Sequence, residues 1–140
     1  MNVVNNYPSV VTMDKIYFNK LEFAREKDIL ANELNVKFES SVAPLEGVQG
    51  KYRAILQCII EDPQYHSLHI CVSMIGIFEC KSDNPELLET LVNENTFAIM
   101  FPFLRSQISL MTTQPDMSPV IIPPMNITSV ISGSHQASRA

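Results

Sequence analysis

Little in this chain can do phosphate, metal or disulfide chemistry. Four glycines are scattered over 140 residues, so no glycine-rich loop can gather backbone N–H groups around a phosphate. The three cysteines, Cys58, Cys71 and Cys80, are odd in number and not closely paired. They make a poor disulfide framework, read as free and buried thiols, and are too widely spaced for zinc-knuckle pairs. Histidine is equally scarce. His66 and His69 stand three apart on an expected strand, where alternation sends their side chains to opposite faces. His135 follows Ser134 in a polar stretch expected to fray, too loose to hold a Ser–His pair in register. The expectation is therefore no catalytic residue, no metal, no cofactor and no enzyme.

Charge is also thin. Charged residues are 18% of the chain, with 10 Lys and Arg against 15 Asp and Glu and a net charge of −5. Nucleic-acid binding draws its affinity from phosphate neutralisation and needs a basic footprint, so that class of partner is set aside. No apolar run approaches the roughly 20 residues of a membrane span. The Asn-rich start has no basic n-region, long apolar core or small-residue cleavage motif. These absences predict a cytoplasmic protein with no signal peptide and no membrane insertion.

What is present is apolar residue, at 46% of the chain. With so thin a charge coat, some of that surface needs covering by assembly or by a partner. The first half reads as strands. Met13 to Phe23 changes phase between Ile16, Phe18 and Leu21, Phe23, which predicts a bulge near Asn19 and Lys20. Leu34, Val36, Phe38 and Val42 keep a period of two, as do Tyr52, Ala54, Leu56, Cys58 and Ile60. A fourth strand is expected from Tyr65 to Cys80, with a bend at Gly76. The second half reads as helix. Asn84 and Pro85 form an N-cap and first-turn pair. A long helix is predicted from Thr96 to Thr113, with Met100, Phe103, Leu104, Ile108 and Met111 along one face. Phe97, Phe101 and Leu110 lie off that face, so the helix wants a second apolar partner besides its sheet. Pro102 should kink the helix or delay its start. Pro119, Pro123 and Pro124 then force an extended path, and a short helical turn is expected from Ile127 to Ile131.

Strands followed by helices predict an α+β fold: a four-stranded antiparallel sheet with a long helix and shorter helices on one face. Residues 13–131 form the single domain, residues 1–12 an N-terminal extension and residues 132–140 a flexible tail. Met111, Met117 and Met125 gather near Val120, Ile121 and Ile122. Flexible methionine suits promiscuous binding surfaces, and equally fills gaps in a core.

Two segments resemble SecB, the bacterial protein-export chaperone. Phe101-Pro102-Phe103-Leu104-Arg105 is similar to the family's helical Phe-Pro-aromatic-x-Arg. The segment from Met117 to Ile127, Met-Ser-Pro-Val-Ile-Ile-Pro-Pro-Met-Asn-Ile, resembles its Pro-rich signature, with Met117 and Ile127 in place of aromatics and Ser118 in place of a proline. Ile16-Tyr17 with Leu21 and Phe23, and Gly76-Ile77-Phe78, are similar to its first and fourth strands. The resemblance implies an ATP-independent holdase for unfolded or precursor polypeptides, active in export. An alternative is a SecB-like chaperone dedicated to one partner such as an antitoxin, and another is a non-chaperone adaptor. It implies a homotetramer, a dimer of dimers packed across the long helix, with Phe97, Phe101 and Leu110 at the interface. It places a peptide groove at Ile29, Leu30, Phe38, Met111, Met117, Val120 and Ile122. Docking on the SecA motor would use acidic residues, but Lys20, Ala24 and Cys71 stand at the positions that match.

Overall fold

The computed structural model describes residues 9–132 and 134–138. Four long strands form an antiparallel sheet: β1 Ser9–Arg25, β2 Glu33–Pro44, β3 Lys51–Glu61 and β4 Leu68–Ser82. They are followed by α1 Pro85–Thr90, a π-helical turn Leu91–Asn95, α2 Thr96–Thr112, α3 Ile127–Ser132 and a short strand β5 Ser134–Ser138. The sheet order is β1-β4-β3-β2-β5. Consecutive strands β1 and β2 are therefore not neighbours, and residues 26–32 must cross the ends of β4 and β3. Three inter-strand spacings are about 14 Å, which seven residues reach with chain to spare.

The period-two series becomes the buried face. Leu34, Val36 and Phe38 of β2 lie beside Ala54, Leu56, Cys58 and Ile60 of β3 and Ile70, Val72, Met74 and Phe78 of β4, all buried. The opposite face carries Lys37, Glu39, Arg53 and Gln57 among the apolar Ile55 and Ile59. The β1–β4 register shifts between Phe18 and Lys20, at the predicted bulge, and again between Met13 and Lys15. Asp14, at the second shift, pairs with Lys51 at 2.6 Å. Asn84 caps α1 by accepting from the N–H groups of Glu86 at 3.0 Å and Leu87 at 3.4 Å.

β4 runs on to Ser82 without a break at Gly76. A Cβ there would meet the Phe78 ring and the Met100 Sδ, so glycine permits a close approach. His66 is not on a strand: it sits in the turn before β4 at φ 53°, and the opposite-face argument does not apply to it. The late start offered for Pro102 does not occur: α2 starts at Thr96 and runs through the exposed proline. Residues 134–138 pair with β2 instead of forming a free tail, and β1 begins at Ser9. Residues 1–8 of the expected N-terminal extension, and positions 133, 139 and 140 of the expected tail, lie outside the described residues.

Candidate functional site

The segment after α2 is extended because its prolines forbid helix. Three α2 side chains, Arg105, Ser109 and Thr112, pin it. Spacings of four and three residues set them along one helix face. Arg105 donates from Nε to the Ile122 carbonyl at 2.7 Å, and its guanidinium lies 5.9 Å from the Phe101 ring centroid. The Ser109 hydroxyl donates to the Val120 carbonyl at 3.4 Å. The Thr112 Oγ1 donates to the Ile108 carbonyl and accepts from the Val120 N–H at 2.8 Å. With these backbone groups satisfied, Val120 and Ile122 turn inward and are buried, while Ile121 turns out. Arg105 stood in the motif that suggested the family, but its carbonyl partner could not be read from the motif.

The 26–32 connection is held down by polar ties. Arg25 donates to the carbonyls of Lys27 at 3.0 Å, Asp28 at 2.8 Å and Asp116 at 2.8 Å, and its guanidinium lies 3.6 Å from the Asp116 carboxylate. It thus joins the connection to the turn after α2. Asp62, after β3, anchors the other end. Its carboxylate accepts from the N–H groups of Ala31 at 2.9 Å, Gln64 at 2.8 Å and Tyr65 at 2.9 Å, and from the Ser67 hydroxyl at 2.7 Å. Burial pushes this carboxyl up, but the donors from Tyr65, Ala31, Ser67 and Gln64 outweigh it and hold the group at about 2.

Among the expected groove residues, only Ile29 is well exposed, at 47%. Leu30, Phe38, Met117, Val120 and Ile122 are buried, and Met111 packs partly buried against them and the rest of the core. Phe38 meets Phe101 edge to face at 5.7 Å. Five of the seven residues expected to line a groove thus belong to the chain's own buried core. Beside it an open cleft of about 410 Å³ runs between α2 and the extended segment, lined by Arg105, Ser106, Ser109, Leu110, Thr113 and Ile121 with Ile122.

The face assignment of α2 is reversed in part. Phe97 and Phe101 are 2% and 5% exposed and pack into the core with Met100, Leu104 and Ile108. The outward residues are Leu110, 69% exposed, and Phe103, 47% exposed, although Phe103 was assigned to the sheet side. Both stripes have helical spacing, and it is Phe101 that meets Phe38 of the sheet.

The thiols of Cys58, Cys71 and Cys80 are free and buried, and burial pushes each above its ordinary value. No group of three or more His, Cys, Asp or Glu side chains among the described residues could hold a metal ion. No described helix is long and apolar enough to cross a membrane.

No family model matches the sequence. Over 101 residues, 70% of this chain, it is 25% identical to the uncharacterized protein MJ0357 of Methanocaldococcus jannaschii, and it spans 65% of that protein's length. Among solved structures, it superimposes on the Mycobacterium tuberculosis Rv1957 SecB-like chaperone, in complex with a ChAD peptide from the Rv1956 HigA1 antitoxin. The TM-score is 0.66 at 11% identity, over 82% of this chain and 87% of the other. The fold is SecB-like. Within it Lys20 pairs with Glu22 at 3.0 Å, and Cys71 is a buried thiol. The SecB-like sheet therefore offers no acid at positions 20, 24 and 71.

Proposed function

We propose that this protein is an ATP-independent chaperone that binds unfolded or precursor polypeptide segments, and is not an enzyme. The observation that carries the reading is the gathering of the β1–β2 connection, the inner face of β2, the end of α2 and the Pro-rich segment around one apolar region. The structural likeness to a SecB-like chaperone bound to an antitoxin peptide supports it. A client chain would bury apolar side chains against Ile29, Leu30, Phe38, Met111 and Met117 once the connection lifts, and Val120 and Ile122 form the floor beneath. Binding of this kind depends on apolar area and is only modestly sensitive to salt. The proposed setting is the cytoplasm, as a homotetramer built as a dimer of dimers, with no cofactor. The missing acids at Lys20, Ala24 and Cys71 speak against docking on a SecA motor.

A second reading has its own observation. Leu30, Phe38, Met117, Val120 and Ile122 are covered in the free chain, so a client must displace packed groups. That favours a restricted clientele, a dedicated partner such as an antitoxin, over broad export holding; an adaptor for one folded partner is the extreme case. One experiment separates them. The purified protein is added to several unrelated unfolded proteins and their aggregation is followed by light scattering. Delay for all of them supports a general holdase, delay for one class supports a restricted clientele, and no delay for any overturns the general holdase.

A further inference from the structure

We infer that the outer edge of β2 is a strand-addition site for extended polypeptide, occupied in this structure by the chain's own segment Ser134–Ser138. The inference rests on the polypeptide-binding reading above and names the mode of recognition. β5 pairs antiparallel with Glu33 to Lys37, as Glu33↔Ser138, Asn35↔Gln136 and Lys37↔Ser134. The seat therefore accepts an extended backbone and satisfies it. From Glu39 to Pro44, β2 has no strand on that edge among the described residues. An added strand longer than β5 would find further donors and acceptors there.

The occupant is weakly suited to its place. Ser-His-Gln-Ala-Ser has no apolar residue larger than alanine, so it brings little apolar area to a neighbouring strand. The neighbourhood would reward something more apolar. Leu34, Val36 and Phe38 alternate on the buried face of β2, α3 packs against the same strand, and Val130 on α3 is buried. A client with apolar residues at alternate positions would extend that layer, where β5 cannot. The edge also adjoins the candidate groove through Phe38. What favours β5 is tethering, since one residue separates it from α3, which gives an effective concentration of roughly millimolar order. A segment no better than β5 stays out, while a client that buries alternate side chains displaces it. Recognition would be tolerant of sequence but intolerant of proline and of folded chains.

The test locks the occupant in place. Asn35→Cys with Gln136→Cys joins direct antiparallel partners, whose Cα separation of about 4.5–5.5 Å suits a disulfide. The three native thiols are buried, so the new pair is the one that oxidises. The probe is a fluorescein-labelled peptide of alternating valine and threonine, lysine-ended, long enough to span Glu33 to Pro44, read by anisotropy on the full chain. The reduced variant should bind like the parent, and the oxidised variant at least about tenfold more weakly. The Lys37→Cys with Ser134→Cys pair should repeat the result if the first disturbs folding. The peptide N-methylated at alternate amides should bind poorly to every form. Equal binding by oxidised and reduced forms overturns strand addition and leaves the proposed function standing. If the parent chain binds neither the peptide nor an unfolded protein, both readings fall.

Discussion

Replacing Asp62 by asparagine keeps the shape of the side chain and removes its charge. The buried carboxylate gathers three backbone N–H groups and one hydroxyl, and it titrates at about 2 against an ordinary value of 3.8. A depressed carboxyl means that the unfolded chain takes up the proton first as pH falls. The stabilisation is therefore whole above the unfolded value near 3.8 and is lost as pH falls through about 2. The difference between the two values corresponds to about 2 kcal/mol. Asp62→Asn should then lower unfolding free energy by about 2 kcal/mol at neutral pH. Its deficit against the parent should narrow across the window from about pH 4 to about pH 2. Urea unfolding at a series of pH values, followed by circular dichroism, measures both. The damage should be felt first in the 26–32 connection, because the Ala31 N–H loses a charged acceptor. Parallel acid limbs for parent and variant, with a constant gap throughout, would refute the assignment of the charge as the stabilising element.

Three further outcomes follow from the packing. Leu110→Asp should lower the assembly state in sedimentation without loss of fold, whereas Phe101→Asp should unfold the chain by charging a core ring; an unchanged sedimentation coefficient for Leu110→Asp would remove the outer face of α2 from any interface. Arg105→Ala should cost about 2 kcal/mol through the lost charged hydrogen bond to the Ile122 carbonyl, and should speed amide exchange at Val120. Gly76→Ala should destabilise by about 1–3 kcal/mol through overpacking against Phe78 and Met100, with a lowered thermal midpoint as the readout.

How much of this was legible in the sequence depended on whether one periodicity had one solution. The inner face of β2 was, because Leu34, Val36 and Phe38 alternate with charged or polar residues and leave only one face apolar; β3, with Ile55 and Ile59 on its other face, was legible only through the longer series Ala54, Leu56, Cys58 and Ile60. The bulge at Asn19 was legible as a phase change. For α2 the sequence allowed two answers. Phe97, Phe101, Leu104 and Ile108 make a stripe, and so do Met100, Phe103, Leu104, Ile108 and Met111. Periodicity alone cannot choose between overlapping stripes, and the sheet chose by packing Phe101 on Phe38. The same ambiguity holds for Val120, Ile121 and Ile122. Three consecutive apolar residues on an extended path offer two faces, and the choice was made by Arg105, Ser109 and Thr112, which hold the backbone in one rotation about its axis.

By itself the sequence determined the composition of the layers: which segments extend and which coil. The tertiary structure decided what is covered. It closed the 26–32 connection through Arg25 and Asp62, whose partners lie at Asp116 and Ala31, far along the chain. It also seated the polar segment Ser134–Ser138 on β2. Neither event has a local signal, because a guanidinium or carboxylate reaching a distant backbone group leaves no period in the sequence. A segment with no apolar residue larger than alanine has no alternating pattern to announce it as a strand.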